Sequence, residues 1–164
     1  MTATATSGLS AAFERLSLHA DDWSQERVMD EGLDLVRDAT WSDECALYAM
    51  DPDGHATEVA WRPAERPPCG QVLPASWFPW GLAAVNPRRF VLVSDAAALP
   101  STPGAGPTLG ELGISSCLHL PILERQRPVG ALQLFWSEPR VAWDDERGRL
   151  LRLLGRFLLG RAAT

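Results

Sequence analysis

Ser115-Ser116-Cys117-Leu118-His119-Leu120-Pro121-Ile122-Leu123 and Val129-Gly130-Ala131-Leu132-Gln133-Leu134-Phe135-Trp136, joined across Glu124-Arg125-Gln126-Arg127-Pro128, read as two strands of one β-hairpin. Successive side chains of a strand point to opposite faces, so the hairpin sorts its residues into two sets. Leu118, Leu120, Ile122, Leu132 and Leu134 form an aliphatic set that suits the apolar stripes of helices. Cys117, His119, Gln133 and Phe135 form a mixed set on the other side. Both sets are apolar enough that both faces need cover.

Upstream, residues 44–50 and 55–62 have β character around the turn Asp51-Pro52-Asp53-Gly54, which predicts another hairpin. There Ala46, Tyr48 and Met50 alternate with Cys45, Leu47 and Ala49, so Tyr48 can join the mixed face. Buried His, Gln and Tyr need hydrogen-bond partners, since an unpaired polar group costs about 1–3 kcal/mol. The backbone of two long connections, residues 63–80 and 95–110, would satisfy them; so would a ligand in a pocket. The first connection is rich in Pro and aromatics, and Trp77 and Trp80 within it are candidates for the pocket roof or for plugs that close one end of the sheet. A short helix is expected at 82–85 and a strand at 90–94.

Helical spacing marks both ends of the chain. Leu9, Phe13, Leu16 and Ala20 share a stripe of a short helix behind a polar N-terminal arm, the two occupying residues 1–21. Asp22 is the expected N-cap of a second helix, in which Val28, Met29, Gly32, Leu35, Val36 and Ala39 share one side. Gly32 lies within that stripe, where a missing side chain lets a neighbour approach closely. A last helix, capped by Asp144, sets Leu150, Leu151, Leu154, Phe157 and Leu158 opposite Arg149, Arg152 and Arg156. Residues 22–164 read as a single domain.

With 164 residues the chain can bury a core without disulfides, and its three cysteines are too widely spaced for a zinc site. A net charge of −6 excludes an electrostatic footprint for nucleic acid or an anionic membrane. Residues 1–66 carry 5 Arg against 14 acidic groups, and the remainder 10 Arg against 7. All basic residues are Arg, so lysine chemistry is excluded. Without a signal peptide or an apolar run of membrane-spanning length, a cytoplasmic protein is expected, and a bacterial source is a separate expectation.

The order of elements resembles that of a GAF domain. The likeness rests on Leu112-Gly113-Ile114-Ser115-Ser116-Cys117-Leu118-His119-Leu120-Pro121-Ile122, on Pro128-Val129-Gly130-Ala131-Leu132, on Trp143-Asp144-Asp145-Glu146, and on the hairpin from Cys45 through Gly54. It implies an α+β fold: an antiparallel sheet with N- and C-terminal helices on one face and a pocket, covered by loops and short helices, on the other. It also implies a sensory or regulatory module for signal transduction that binds a small molecule, dimerises through its terminal helices and works with an effector domain or kinase partner. In phytochrome-like relatives the positions matching Ala46, Tyr48, Cys117, His119 and Gln133 point into the pocket. Together with Phe135, Trp77 and Trp80 these are the candidate ligand-binding residues. No cofactor is named by the sequence.

Chromophore-bearing relatives carry a Cys in the segment matching residues 100–111 and some haem-binding relatives an axial His nearby; this chain has neither there, so covalent bilin and haem are disfavoured. The Asn-Lys-Phe-Asp-Glu signature of cyclic-nucleotide binders cannot occur in a chain without Lys. Cys117 and His119 share a side of one strand, yet a metal site needs more ligands than they supply. Two alternatives remain: a degenerate GAF fold serving only as a dimerisation scaffold, and a thiol-dependent free methionine sulfoxide reductase, for which Cys69 sits near a matching loop but the second loop cysteine is missing. The reading is of a protein that is not an enzyme, with no catalytic residue and no metal.

Overall fold

A computed structural model describes residues 2–53, 55–62, 72–73, 91–95, 113–139 and 145–163. The elements are α1 (Thr2–His19), α2 (Gln25–Thr40), β1 (Glu44–Met50), β2 (Ala56–Arg62), β3 (Val72–Leu73), β4 (Val91–Val93), β5 (Ser116–Glu124), β6 (Arg127–Trp136) and α3 (Asp145–Ala162). The strands form one antiparallel sheet in the order β3-β2-β1-β6-β5-β4, with both long hairpins where alternation put them. The expected helix at 82–85, the cap Asp144 and the residues Cys69, Trp77 and Trp80 lie outside the described residues.

The β5–β6 turn is tighter than the connection expected from sequence. Arg125 and Gln126 alone make it, with φ of 49° and 67°, and Glu124 already pairs with Arg127. Two left-handed residues match the twist of a two-residue hairpin, although side chains there cost roughly 1 kcal/mol each.

α2 and α3 pack on one face of the sheet, and α1 lies against both helices. α1 is a full 18-residue helix rather than an arm and a short helix, since the Ala/Thr start continues it. Ser24, not Asp22, caps α2, its hydroxyl accepting from the Arg27 N–H at 3.2 Å. Asp22 belongs to the turn that closes α1, its N–H donating to the His19 carbonyl. The buried side of α2 is also rotated slightly: Leu33 is fully enclosed, whereas Leu35 and Ala39 are half-buried.

Gly32 does permit close approach, because a Cβ there would lie 2.6 Å from a Leu158 methyl. Gly155 does the same toward Ile122 at 3.0 Å, which lets α3 settle on β5. Beside this core, Arg62 of β2 binds Asp34 of α2 through two hydrogen bonds of 2.9 and 2.8 Å, fastening the helix to the sheet. That pairing raises the pKa of Arg62 still further. α2 ends at Trp41 in the left-handed conformation, its indole 80% exposed. Among the described residues no helix is long and apolar enough to cross a membrane.

Candidate functional site

Strand register carries the two-faced pattern across the whole sheet. One cluster unites Leu47, Leu118, Leu120, Ile122, Leu132 and Leu134 with Leu33, Val36, Leu151, Leu154 and Leu158 of the helices. Cys45 belongs to this side, its thiol 3.4 Å from the Leu33 carbonyl. A second cluster contains Ala46, Tyr48, Ala56, Val93, Ile114, Cys117, Ala131 and Phe135, with Met50 and Trp61 packed against it. The two clusters share no residue.

His119 and Gln133 stand directly opposite one another on β5 and β6, on the same face as the second cluster. The Gln133 amide nitrogen is 3.1 Å from His119 Nδ1. An amide nitrogen only donates, so Nδ1 accepts and the neutral ring carries its proton on Nε2. Burial holds the imidazole uncharged, pushing its pKa down to about 3, and the Arg152 guanidinium of α3 adds to the effect. Thus two of the polar groups that required partners supply one to each other.

Of the sequence-predicted residues, the structure brings Ala46, Tyr48, Cys117, His119, Gln133 and Phe135 together on one face. Three positions of this face are alanines, at 46, 56 and 131, all fully buried. The aromatic wall is larger than expected: Trp61 of β2 stacks on Phe135 with ring centroids 5.5 Å apart at 25°. Sequence reading also missed Glu58, which is only 4% exposed and pairs with Tyr48 in the ladder. The signal for both is Val59-Ala60-Trp61, three apolar residues in a row where regular alternation would give two on one face.

Nucleophilic chemistry is poorly served by the described cysteines. Burial pushes the thiols of Cys45 and Cys117 up to about 12, so neither is a thiolate near neutral pH. Among the described residues one group brings three metal-ligand atoms within 4.8 Å, namely Asp51, Asp53 and His55 at the exposed tip of the first hairpin. Asp51 is engaged there in the turn, accepting from the His55 N–H at 2.8 Å.

The family model for the GAF domain matches residues 24–158. Among solved structures, the GAF domain of an Acinetobacter phosphoenolpyruvate-protein phosphotransferase is 19% identical with a TM-score of 0.72, over 94% of this chain and 92% of that one. A phycocyanobilin-bound GAF domain from a cyanobacterial phytochrome is 19% identical with a TM-score of 0.69, over 94% of each. A free methionine-R-sulfoxide reductase from Neisseria meningitidis, in complex with its substrate, is 16% identical with a TM-score of 0.67, over 96% of this chain and 90% of that one. Among curated proteins no match is found.

Proposed function

The chain belongs to the GAF domain family, and on that premise we propose that it is a non-enzymatic sensory or regulatory module that takes a small molecule on the sheet face opposite its helices. The observation that carries this reading is the gathering of Tyr48, Cys117, His119, Gln133 and Phe135 with three alanines on that face, away from the aliphatic helix-side core. A face built only for packing would be aliphatic, as its reverse is. Trp77 and Trp80 are proposed to close over the same site. That a GAF domain of similar fold is bound to phycocyanobilin supports small-molecule binding by this fold and says nothing of the ligand here.

The signal would leave through α2 and α3, which rest on the reverse of the same strands, toward a second copy of the chain or a partner such as a kinase domain in the cytoplasm. Leu18 of α1 and Leu153 of α3 are exposed apolar side chains on the helix layer and support pairing through it. Reduction of a sulfoxide is less well supported, because the described thiols are buried and held protonated.

Native mass spectrometry of the purified chain, followed by a thermal-shift screen of the compounds released, tests the proposal. A copurifying small molecule that raises the melting midpoint in the wild type and not in Gln133→Leu is expected, since a ligand bound only to the native state must stabilise it. Ligand-free protein with no stabilising compound, and dimerisation intact, would favour the scaffold reading.

A further inference from the structure

α1 and α2 leave between them a groove of about 420 Å³, whose apolar lining includes Leu9, Leu16, Leu35 and Trp41. Its charged lining is Glu31, Asp34 and Asp38 against the single cation Arg15. Asp34 is committed to Arg62, and Glu31 lies 3.8 Å from Arg27 on the open surface, whereas Asp38 enters no ion pair among the described residues. Trp41 keeps most of its indole in solvent, and a large apolar surface beside such a groove marks a place where another surface settles.

α3 presents the opposite chemistry. Arg149, Leu153, Arg156 and Gly160 recur at i, i+4, i+7 and i+11 and are all exposed, so they form one outward ridge. Arg149 and Arg156 enter no ion pair among the described residues, and beside Gly160 the helix surface is bare. The two helices carry matching triplets: Glu31, Leu35 and Asp38 on α2, and Arg149, Leu153 and Arg156 on α3, each at i, i+4 and i+7. In both, a leucine lies between two like charges about 10.5 Å apart along the helix, and the sign of the charges is reversed from one to the other.

Resting on the pairing through the helix layer proposed above, we propose that the α1–α2 groove of one chain receives the α3 ridge of a second copy, and the reverse, so that Glu31 and Asp38 meet Arg149 and Arg156 around a contact of Leu35 with Leu153. A two-fold pair makes this contact twice, because each copy offers both a groove and a ridge. Pairing of like with like, ridge on ridge or groove on groove, sets guanidinium against guanidinium or carboxylate against carboxylate and is rejected. The uneven charge of the sequence, 5 Arg against 14 acidic groups through residue 66 and 10 against 7 beyond it, is the same complementarity spread along the chain.

Sedimentation velocity over a dilution series of the full chain tests this with two variants, Glu31→Arg with Asp38→Arg in the groove and Arg149→Glu with Arg156→Glu on the ridge. The wild type is expected to pair, and to loosen as salt rises. Each variant alone should lose affinity for itself roughly tenfold or more, since both of its contacts then oppose like charges. Mixed in equal amounts, the two should pair with each other, because one contact is then that of the wild type and the other has both signs reversed. Circular dichroism checks folding; should a reversed variant fail to fold, the neutral forms, Asp38→Asn and Arg149→Gln with Arg156→Gln, should each weaken the pair and decide in its place. A folded groove variant that pairs as the wild type does, or a mixture that stays monomeric while the wild type pairs, overturns the groove-and-ridge contact and leaves pairing through another surface standing. A wild type that is monomeric throughout overturns this contact and the pairing together, and the copurification experiment then judges the ligand-binding reading separately.

Discussion

The two faces of the sheet come from the same strands and make opposite demands on what covers them. On the helix side, branched aliphatic side chains of β1, β5 and β6 interlock with those of α2 and α3, and shape alone satisfies them. On the other side, alanines alternate with aromatic rings, a thiol, an imidazole, an amide and a carboxylate, which need particular chemistry as well as volume. The lesson is that one pleated layer can carry an aliphatic core on one side and a chemically mixed face on the other, because alternate residues are chemically independent.

The largest expected effect is on the helix side. Leu132→Ala, at a fully enclosed position, should lower unfolding stability in urea by about 2–5 kcal/mol. A loss below about 1 kcal/mol would break the contrast by showing that this face is not the main core. On the opposite face, Gln133→Leu leaves His119 Nδ1 without its donor and should cost about 1–3 kcal/mol. Changing both partners, Gln133→Leu with His119→Leu, should recover much of that loss, a result that a purely steric face would not give.

Per pH unit, the pH dependence comes next in size. His119 titrates near its ordinary value of 6.5 when unfolded and at about 3 when folded, so below pH 6.5 the unfolded chain holds the extra proton. Stability should therefore fall as the pH drops from 6.5 toward 3, with a contribution approaching about 1.4 kcal/mol per pH unit, and His119→Leu should remove it. The alkaline limb is shared by both faces. Cys45 and Cys117 rise from 9.0 to about 12 on folding, so stability falls as pH climbs through that window, and Cys117→Ala should leave part of the loss in place. Equilibrium unfolding across pH measures both limbs.

The smallest effect belongs to neither face. Replacing Arg125-Gln126 by Asn-Gly should gain about 0.5–1 kcal/mol by relieving the left-handed turn, with ligand binding unchanged. A change in binding would mean that the hairpin tip takes part in recognition.

Much of this arrangement was legible before any coordinates. Leu118, Leu120, Ile122, Leu132 and Leu134 announce one face and Cys117, His119, Gln133 and Phe135 the other, because an uninterrupted strand keeps its parity. Glu58 and Trp61 were missed because parity fails at Val59, and a bulge is set by pairing with another strand rather than by local preference. Leu33 was missed for a related reason: Leu33 and Leu35 are both apolar, and only the sheet beneath decides which of them is enclosed. The cap moved from Asp22 to Ser24 because the backbone after α1 first had to turn.

α1 precedes the stretch matched by the family model and is seated chiefly on other helices. An outermost layer of that kind can lift away without disturbing the order of the strands, baring Leu9 and Leu16 together with the apolar ridge below them. Its amide hydrogens should surrender to deuterium well before those of β5 and β6, so the chain opens from the outside inward.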